Sequence, residues 1–252
     1  MSADELIPKA PSVEPSPHRL GYNDRLFAND LRGWFHRARF RWLVRELRAR
    51  RLNDLDIIEL GCFDAKTIEH LERAGLRVRS YLGLDANWEG GLDLGRARWQ
   101  GRSGVELRAC TTPDDIPTPE KRWPICICLE TLEHVPLHLR TPFIARLAEV
   151  TGGLAFFSVP IERGVPFLVR RVPKLLLGAE HDEYSALDFL HCSMGRPERV
   201  AQRNGAHVGF DDRAFFRALR EHFLVERVQG IFPGLPILGM NLQAAAVARP
   251  RA

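Results

Sequence analysis

From residue 55 onward, short apolar-rich runs alternate with stretches whose apolar residues return every three or four positions. The runs at about 55–60, 79–85, 105–110, 124–129 and 153–159 predict buried strands, and the stretches at about 65–75, 137–149 and 211–222 predict amphipathic helices. Two further apolar segments, 223–229 and 240–248, flank the turn-rich Gly230-Ile-Phe-Pro-Gly-Leu-Pro and predict an antiparallel hairpin. Strands alternating with helices imply parallel connections with right-handed crossovers. The expectation is an α/β fold: a doubly wound, mostly parallel seven-stranded sheet with helices on both faces and a C-terminal antiparallel hairpin.

The flanks carry different patterns. Residues 1–18, with Pro8, Pro11, Pro15 and Pro17 among polar neighbours, read as a flexible lead-in. The remainder, 19–252, reads as a single domain. From Asp24 to Arg51 the apolar Leu26, Leu31, Trp34, Phe35, Phe40, Leu43 and Leu47 fall at helical spacing with Arg on the other face, so 19–52 is expected to be an N-terminal helical cover. The connection 161–205 is long for this fold and is expected to cover the ligand side. Within it, 165–178 is apolar with three basic residues. A cover helix packed on the core is the favoured reading, and contact with a membrane surface the less favoured one.

Composition narrows the class. With 252 residues, 45% hydrophobic and 27% charged, the chain can bury a full core and is ordinary for a globular protein. The net charge of +4 is mild and the basic residues are scattered among acids, so nucleic acid is not an expected partner. Five cysteines without metal-type spacing read as small apolar residues in a reducing compartment, and no metal is expected. The start is acidic and then Pro-rich, unlike a signal peptide, and no window approaches the roughly 20 apolar residues of a membrane span. A cytoplasmic location is expected.

The most informative stretch is Asp56-Ile-Ile-Glu-Leu-Gly-Cys-Phe-Asp-Ala-Lys-Thr67. An apolar run ends in Glu59, the chain bends at Gly61, and a helix follows, as where doubly wound sheets bind nucleotide-like ligands. A dinucleotide pyrophosphate calls for G-x-G-x-x-G; here Phe63 and Ala65 stand where further glycines are expected. A ligand without phosphates needs only the bend and an acid at the end of the next strand. That acid is Asp85, in Tyr81-Leu-Gly-Leu-Asp-Ala-Asn, and its carboxylate can accept from both hydroxyls of a ribose.

These features, followed by Trp123-Pro-Ile-Cys-Ile-Cys-Leu-Glu-Thr-Leu-Glu-His-Val-Pro136, resemble the class I S-adenosylmethionine-dependent methyltransferases, and within them the small-molecule group. Asp114-Asp-Ile-Pro117, Gly152-Gly-Leu-Ala-Phe-Phe-Ser-Val-Pro160 and Ala206-His-Val-Gly-Phe-Asp211 continue the likeness in order, over about 55–248. The departures are Phe63 and Ala65 for glycines, Pro124 for the aspartate of the fourth motif, and Thr112 for that of the third.

The resemblance implies a Rossmann-like fold, S-adenosyl-L-methionine as cofactor and a small-molecule acceptor, with a sugar, glycan or lipid-linked compound suggested. It places Gly61, Cys62 and Phe63 under the methionine moiety with Glu59 supporting the bend, Asp85 on the ribose, Ala86 and Thr112 beside adenine, and Leu129 with Glu130 near the reacting sulfur. Candidate general bases are His134, His191 and His207, since His titrates near neutral pH. Rival readings are a catalytically inactive binding or accessory relative, motivated by the altered glycines, and an NAD-dependent oxidoreductase, disfavoured by Phe63. A nucleic-acid methyltransferase is disfavoured by Leu129-Glu-Thr-Leu132 in the place of an acceptor-flipping motif.

Overall fold

The computed structural model describes residues 31–87, 90–118, 120, 122–176, 184–202, 207–232 and 241–251, except the side chains of 31, 32 and 173–176. The lead-in 1–18, the start of the helical cover, the end of 165–178 and most of the Gly230–Pro236 turn lie outside them. The chain divides into two units, 1–37 and 38–252. The described part of the first is the opening of helix α1 (Leu31–Ala49).

In the second unit the strands are β1 (Asp54–Leu60), β2 (Arg77–Asp85), β3 (Val105–Ala109), β4 (Trp123–Leu129), β5 (Thr151–Pro160), β6 (Phe223–Gly230) and β7 (Gln243–Pro250). They form one sheet in the order β3-β2-β1-β4-β5-β7-β6. β1 to β5 pair in parallel, and β7 runs antiparallel to both β5 and β6. The expected seven-stranded sheet with its closing antiparallel pair is therefore present. The helices are α2 (Lys66–Arg73), α3 (Gly91–Arg98), α4 (Leu137–Val150), α5 (Gly164–Leu176), α6 (Ala186–Ser193) and α7 (Asp212–His222).

Alternation along the strands explains how both faces are covered. Ile58 and Leu60 of β1 and Phe157 of β5 join a core built with Phe143, Ile144 and Leu147 of α4 and Phe215, Phe216 and Leu219 of α7. The neighbouring Phe156 points the other way, with its ring edge against Trp42 of α1 at 6.1 Å. α1 buries Ala38, Trp42, Leu43 and Leu47 and exposes Arg41, Arg45 and Arg48, while Trp34 of the expected apolar stripe is half exposed. Its buried Glu46 accepts from Arg50 at 2.6 Å and from Gln229 of β6 at 2.9 Å. Burial alone would raise the Glu46 pKa; these bonds and the charge of Arg227 hold it below 4.5 instead. Among the described residues no helix is long and apolar enough to cross a membrane.

Candidate functional site

From β1 the chain winds outward to β2 and β3; from β4 it winds the other way to β5. β1 and β4 are neighbours, paired at Ile57–Ile125, Ile58–Cys126 and Glu59–Ile127. The crevice outside their C-terminal ends is the point where strand order reverses, and open α/β sheets bind ligands there. The loops that reach it follow β1 (61–65), β2 (from 86), β3 (110–116), β4 (130–136) and β5 (161–163).

Backbone strain concentrates at this edge. Gly61, Phe63 and Ala65 adopt φ of 80°, 49° and 57° on alternate residues, and Asn87 and Glu130 sit at 58° and 54°. A side chain in the left-handed region costs on the order of 1–2 kcal/mol, and such residues persist only where their surroundings over-determine them. The surroundings are visible. The N–H groups of Gly61 and Cys62 donate to the Leu84 carbonyl at 2.7 and 3.2 Å. The Phe63 ring rests on α3 at Gly91, where an added Cβ would come within 2.5 Å of it. The buried Asp64 carboxylate accepts from Arg98 of α3 at 2.6 Å. α3 therefore clamps the loop, with the Phe63 ring parked on that helix.

Asp85 faces the bend. Its Oδ2 accepts from the Phe63 N–H at 3.0 Å and its Oδ1 from the Asn87 N–H at 2.8 Å. A carboxylate has about four lone-pair sites, more than these two bonds use. Ala86 is exposed beside it. Glu59 is buried behind the bend, where it accepts from Thr67 Oγ1 at 2.8 Å and Tyr81 Oη at 2.5 Å, tying β1 to α2 and β2. Burial pushes its pKa up to about 7 in spite of those bonds. Burial likewise pushes the Cys62 thiol well above its usual range. Thr112 is exposed at the start of the turn 113–115, whose Asp115 carboxylate accepts from the N–H groups of Thr111 and Thr112 at 2.7 Å each.

At the end of β4, Leu129 is buried and Glu130 is held by its N–H to the Ser158 carbonyl at 2.9 Å and by Ser158 Oγ at 3.4 Å. Burial raises the Glu130 pKa, opposed by the charges of Arg39 and Arg170. Of the three candidate histidines, the structure brings two together: the rings of His134 and His207 meet edge-on at 4.5 Å. His191 lies on α6, with its Nδ1 buried and without a hydrogen-bond partner.

Sequence reasoning passed over Glu133, which is buried beside this pair, and over Arg140, Thr131 and Glu162. Arg140 of α4 donates to the carbonyls of Leu132, Glu133 and Val135 at 2.8, 3.4 and 3.3 Å and so shapes the loop after β4. Glu133 was visible in the Leu-Glu-His-Val motif. Arg140 and Glu162 acquire their roles only through packing, and no local signal marks them.

Compared by sequence, the chain matches no family model and no curated protein. Compared by structure, it superposes on the magnesium protoporphyrin IX methyltransferase of Synechocystis PCC 6803 with bound SAH, with a TM-score of 0.56 at 15% identity over 94% of this chain and 90% of that one. An S-adenosylmethionine-dependent methyltransferase from Clostridium acetobutylicum gives 0.58 at 9% identity, covering 90% and 95%. DhpI in complex with SAH gives 0.55 at 16% identity, covering 90% and 89%. The chain has the class I S-adenosylmethionine-dependent methyltransferase fold. At these identities the likeness reaches the fold alone. In this methyltransferase fold Gly61, Asp85, Thr112 and Glu130 all lie on the C-terminal edge of the sheet, within the loops around one crevice.

Proposed function

We propose that the chain is an S-adenosyl-L-methionine-dependent methyltransferase acting on a small-molecule acceptor. One observation carries this reading. A loop that lacks two of its expected glycines still takes the left-handed conformation at 61, 63 and 65, and it donates a backbone N–H to Asp85 at the end of β2. Strain kept at that position without a phosphate-binding glycine pattern fits a nucleoside ligand whose sugar is gripped by a carboxylate.

The cofactor supplies a methyl group already activated by a sulfonium, so the chain's residues have to bind, orient and exclude water. Asp85 accepts from the ribose hydroxyls; Ala86 and Thr112 flank the base; Gly61, Cys62 and Phe63 pass beneath the methionine part; Leu129 and Glu130 border the reacting centre. Glu59, fully engaged with Thr67 and Tyr81, is a positioning residue for the bend. The segment 161–205, including α5 and α6, covers the acceptor. We take the acceptor to be a sugar, glycan or lipid-linked hydroxyl, the class the family resemblance suggests, with the His134–His207 pair assigned to the acceptor side of the loop after β4.

Calorimetric titration of S-adenosylhomocysteine tests the reading. Charge-assisted hydrogen bonds contribute roughly 1.5–3 kcal/mol each, so losing two in Asp85→Ala should weaken binding at least about a hundredfold. Affinity within threefold of wild type would show that the sugar site is misplaced, and no heat from the wild type at millimolar ligand would end the enzymatic reading.

A further inference from the structure

Outside the cofactor contacts, one cluster lacks an explanation in the fold. Glu133 and His134 are adjacent in the loop after β4, and His207 arrives from the segment before α7, 73 residues later. One donor atom from each lies within 4.8 Å of the other two. His134 Nε2 stands 3.9 Å from Glu133 Oε1. The Glu133 side chain has no solvent exposure, and neither of its oxygens has a hydrogen-bond partner. Arg140, the cation nearest in sequence, gives its donors to three loop carbonyls and to Gln202 Oε1 at 3.2 Å. It fixes the loop and, like Arg39, acts on the Glu133 carboxylate through charge without a hydrogen bond to it.

A buried carboxylate with both oxygens unsatisfied is costly, and a protonated one would still lack partners. A cation resolves both. We propose that Glu133, His134 and His207 bind a divalent transition-metal ion at the mouth of the crevice. Two donors about 2.1 Å from a shared ion stand at most roughly 4.2 Å apart, so the 3.9 Å pair already fits. The widest spacing of 4.8 Å closes with side-chain rotations of about half an ångström. Two imidazoles and one carboxylate favour zinc, cobalt or manganese over magnesium or calcium. Glu162, 4.0 Å from His207 Nδ1 and paired with Arg170 at 2.8 Å, is placed to orient that ring, as carboxylates behind ligating histidines do. Three protein ligands leave open positions. Resting on the methyltransferase reading, one of these takes the acceptor hydroxyl, lowers its pKa and lets its proton leave to water before alkylation.

The test uses the full chain, stripped with a chelator and titrated with Zn²⁺, Mn²⁺ and Co²⁺ by calorimetry, with visible absorption of the Co²⁺ form as a signature of the ligand set. One ion per chain is expected. His207→Ala, at a half-buried position, should weaken binding at least thirtyfold; Glu133→Gln should do the same, and His138→Ala, on the exposed side of α4, should leave it unchanged. No stoichiometric binding of any of the three ions at 1 mM, or equal affinity in His207→Ala and wild type, overturns the site. S-adenosylhomocysteine is titrated separately. Metal binding without it upholds the site and overturns only the acceptor role.

Discussion

Gly61 is the position where the architecture of the crevice can be tested most sharply. Replacing it with Ala adds one methyl group and meets two separate costs. At φ of 80° the alanine backbone sits in the left-handed region, a cost of about 1–2 kcal/mol. The new Cβ would also lie 2.7 Å from Thr131 Cβ and nearer still to Oγ1 and Cγ2, where ordinary contact begins at 3.4 Å. Thr131 cannot swing aside freely, because it is β-branched and its hydroxyl donates to the Leu129 carbonyl at 3.1 Å and reaches the Leu60 carbonyl at 3.4 Å. Overpacking of this kind costs roughly 1–3 kcal/mol. Gly61→Ala should therefore lose about 2–5 kcal/mol, a large part of a typical domain's 5–15 kcal/mol. Urea unfolding of the wild type, Gly61→Ala, Thr131→Gly and the double variant separates the two costs. In the Thr131→Gly background the clash disappears and only the backbone cost of about 1–2 kcal/mol should remain. A single variant within about 0.5 kcal/mol of wild type, or additive effects in the cycle, would refute the close approach of the loops after β1 and β4.

Glu59→Gln tests the buried carboxyl. Its folded pKa of about 7 exceeds the ordinary 4.5, so the folded state holds the extra proton between those values. The stability associated with that proton is full below pH 4.5 and is lost as pH rises through 7, by about 3 kcal/mol in all. Gln cannot titrate, so unfolding free energies at pH 5 and pH 8 should show the variant gaining on wild type at the higher pH; parallel pH dependence would be the contrary result. Arg140→Met should cost about 2–4 kcal/mol in the same unfolding assay, because it strands the carbonyls of Leu132, Glu133 and Val135 in a buried loop. A loss below about 1 kcal/mol would mean that the loop after β4 holds its shape without the guanidinium.

The sheet was legible because its evidence is local. The parallel strands are short segments with an apolar centre, Ile57-Ile58 in β1, Tyr81-Leu82 in β2 and Ile125 to Leu129 in β4, and Glu59 and Asp85 stood out as acids at or near the ends of two of them. α3 was not read as a helix, because Gly90, Gly91 and Gly95 make 90–98 look like a turn. Docking forms this helix in spite of its propensity: its glycines let it lie against Phe63, Asp64 and Leu107. α6 was also passed over, although Ser185 and Asp188 form a capping box that marks its start. The pairing of His134 with His207 was beyond the sequence, since it depends on how a loop after β4 meets a segment 73 residues later.

The altered glycine loop also shows why motif spelling is a poor measure of the crevice. Phe63 and Ala65 take the backbone shape that glycine would take more cheaply, and what compensates lies outside the motif. Gly91 on α3 gives the Phe63 ring a place to rest, and Arg98, two turns along, grips Asp64 between the two strained residues. The freedom expected in the loop has moved into the helix that holds it. A motif search limited to 59–65 sees two losses; the fold shows an exchange, in which α3 helps hold the bend and Asp85, at the end of β2, faces it across a 3.0 Å hydrogen bond.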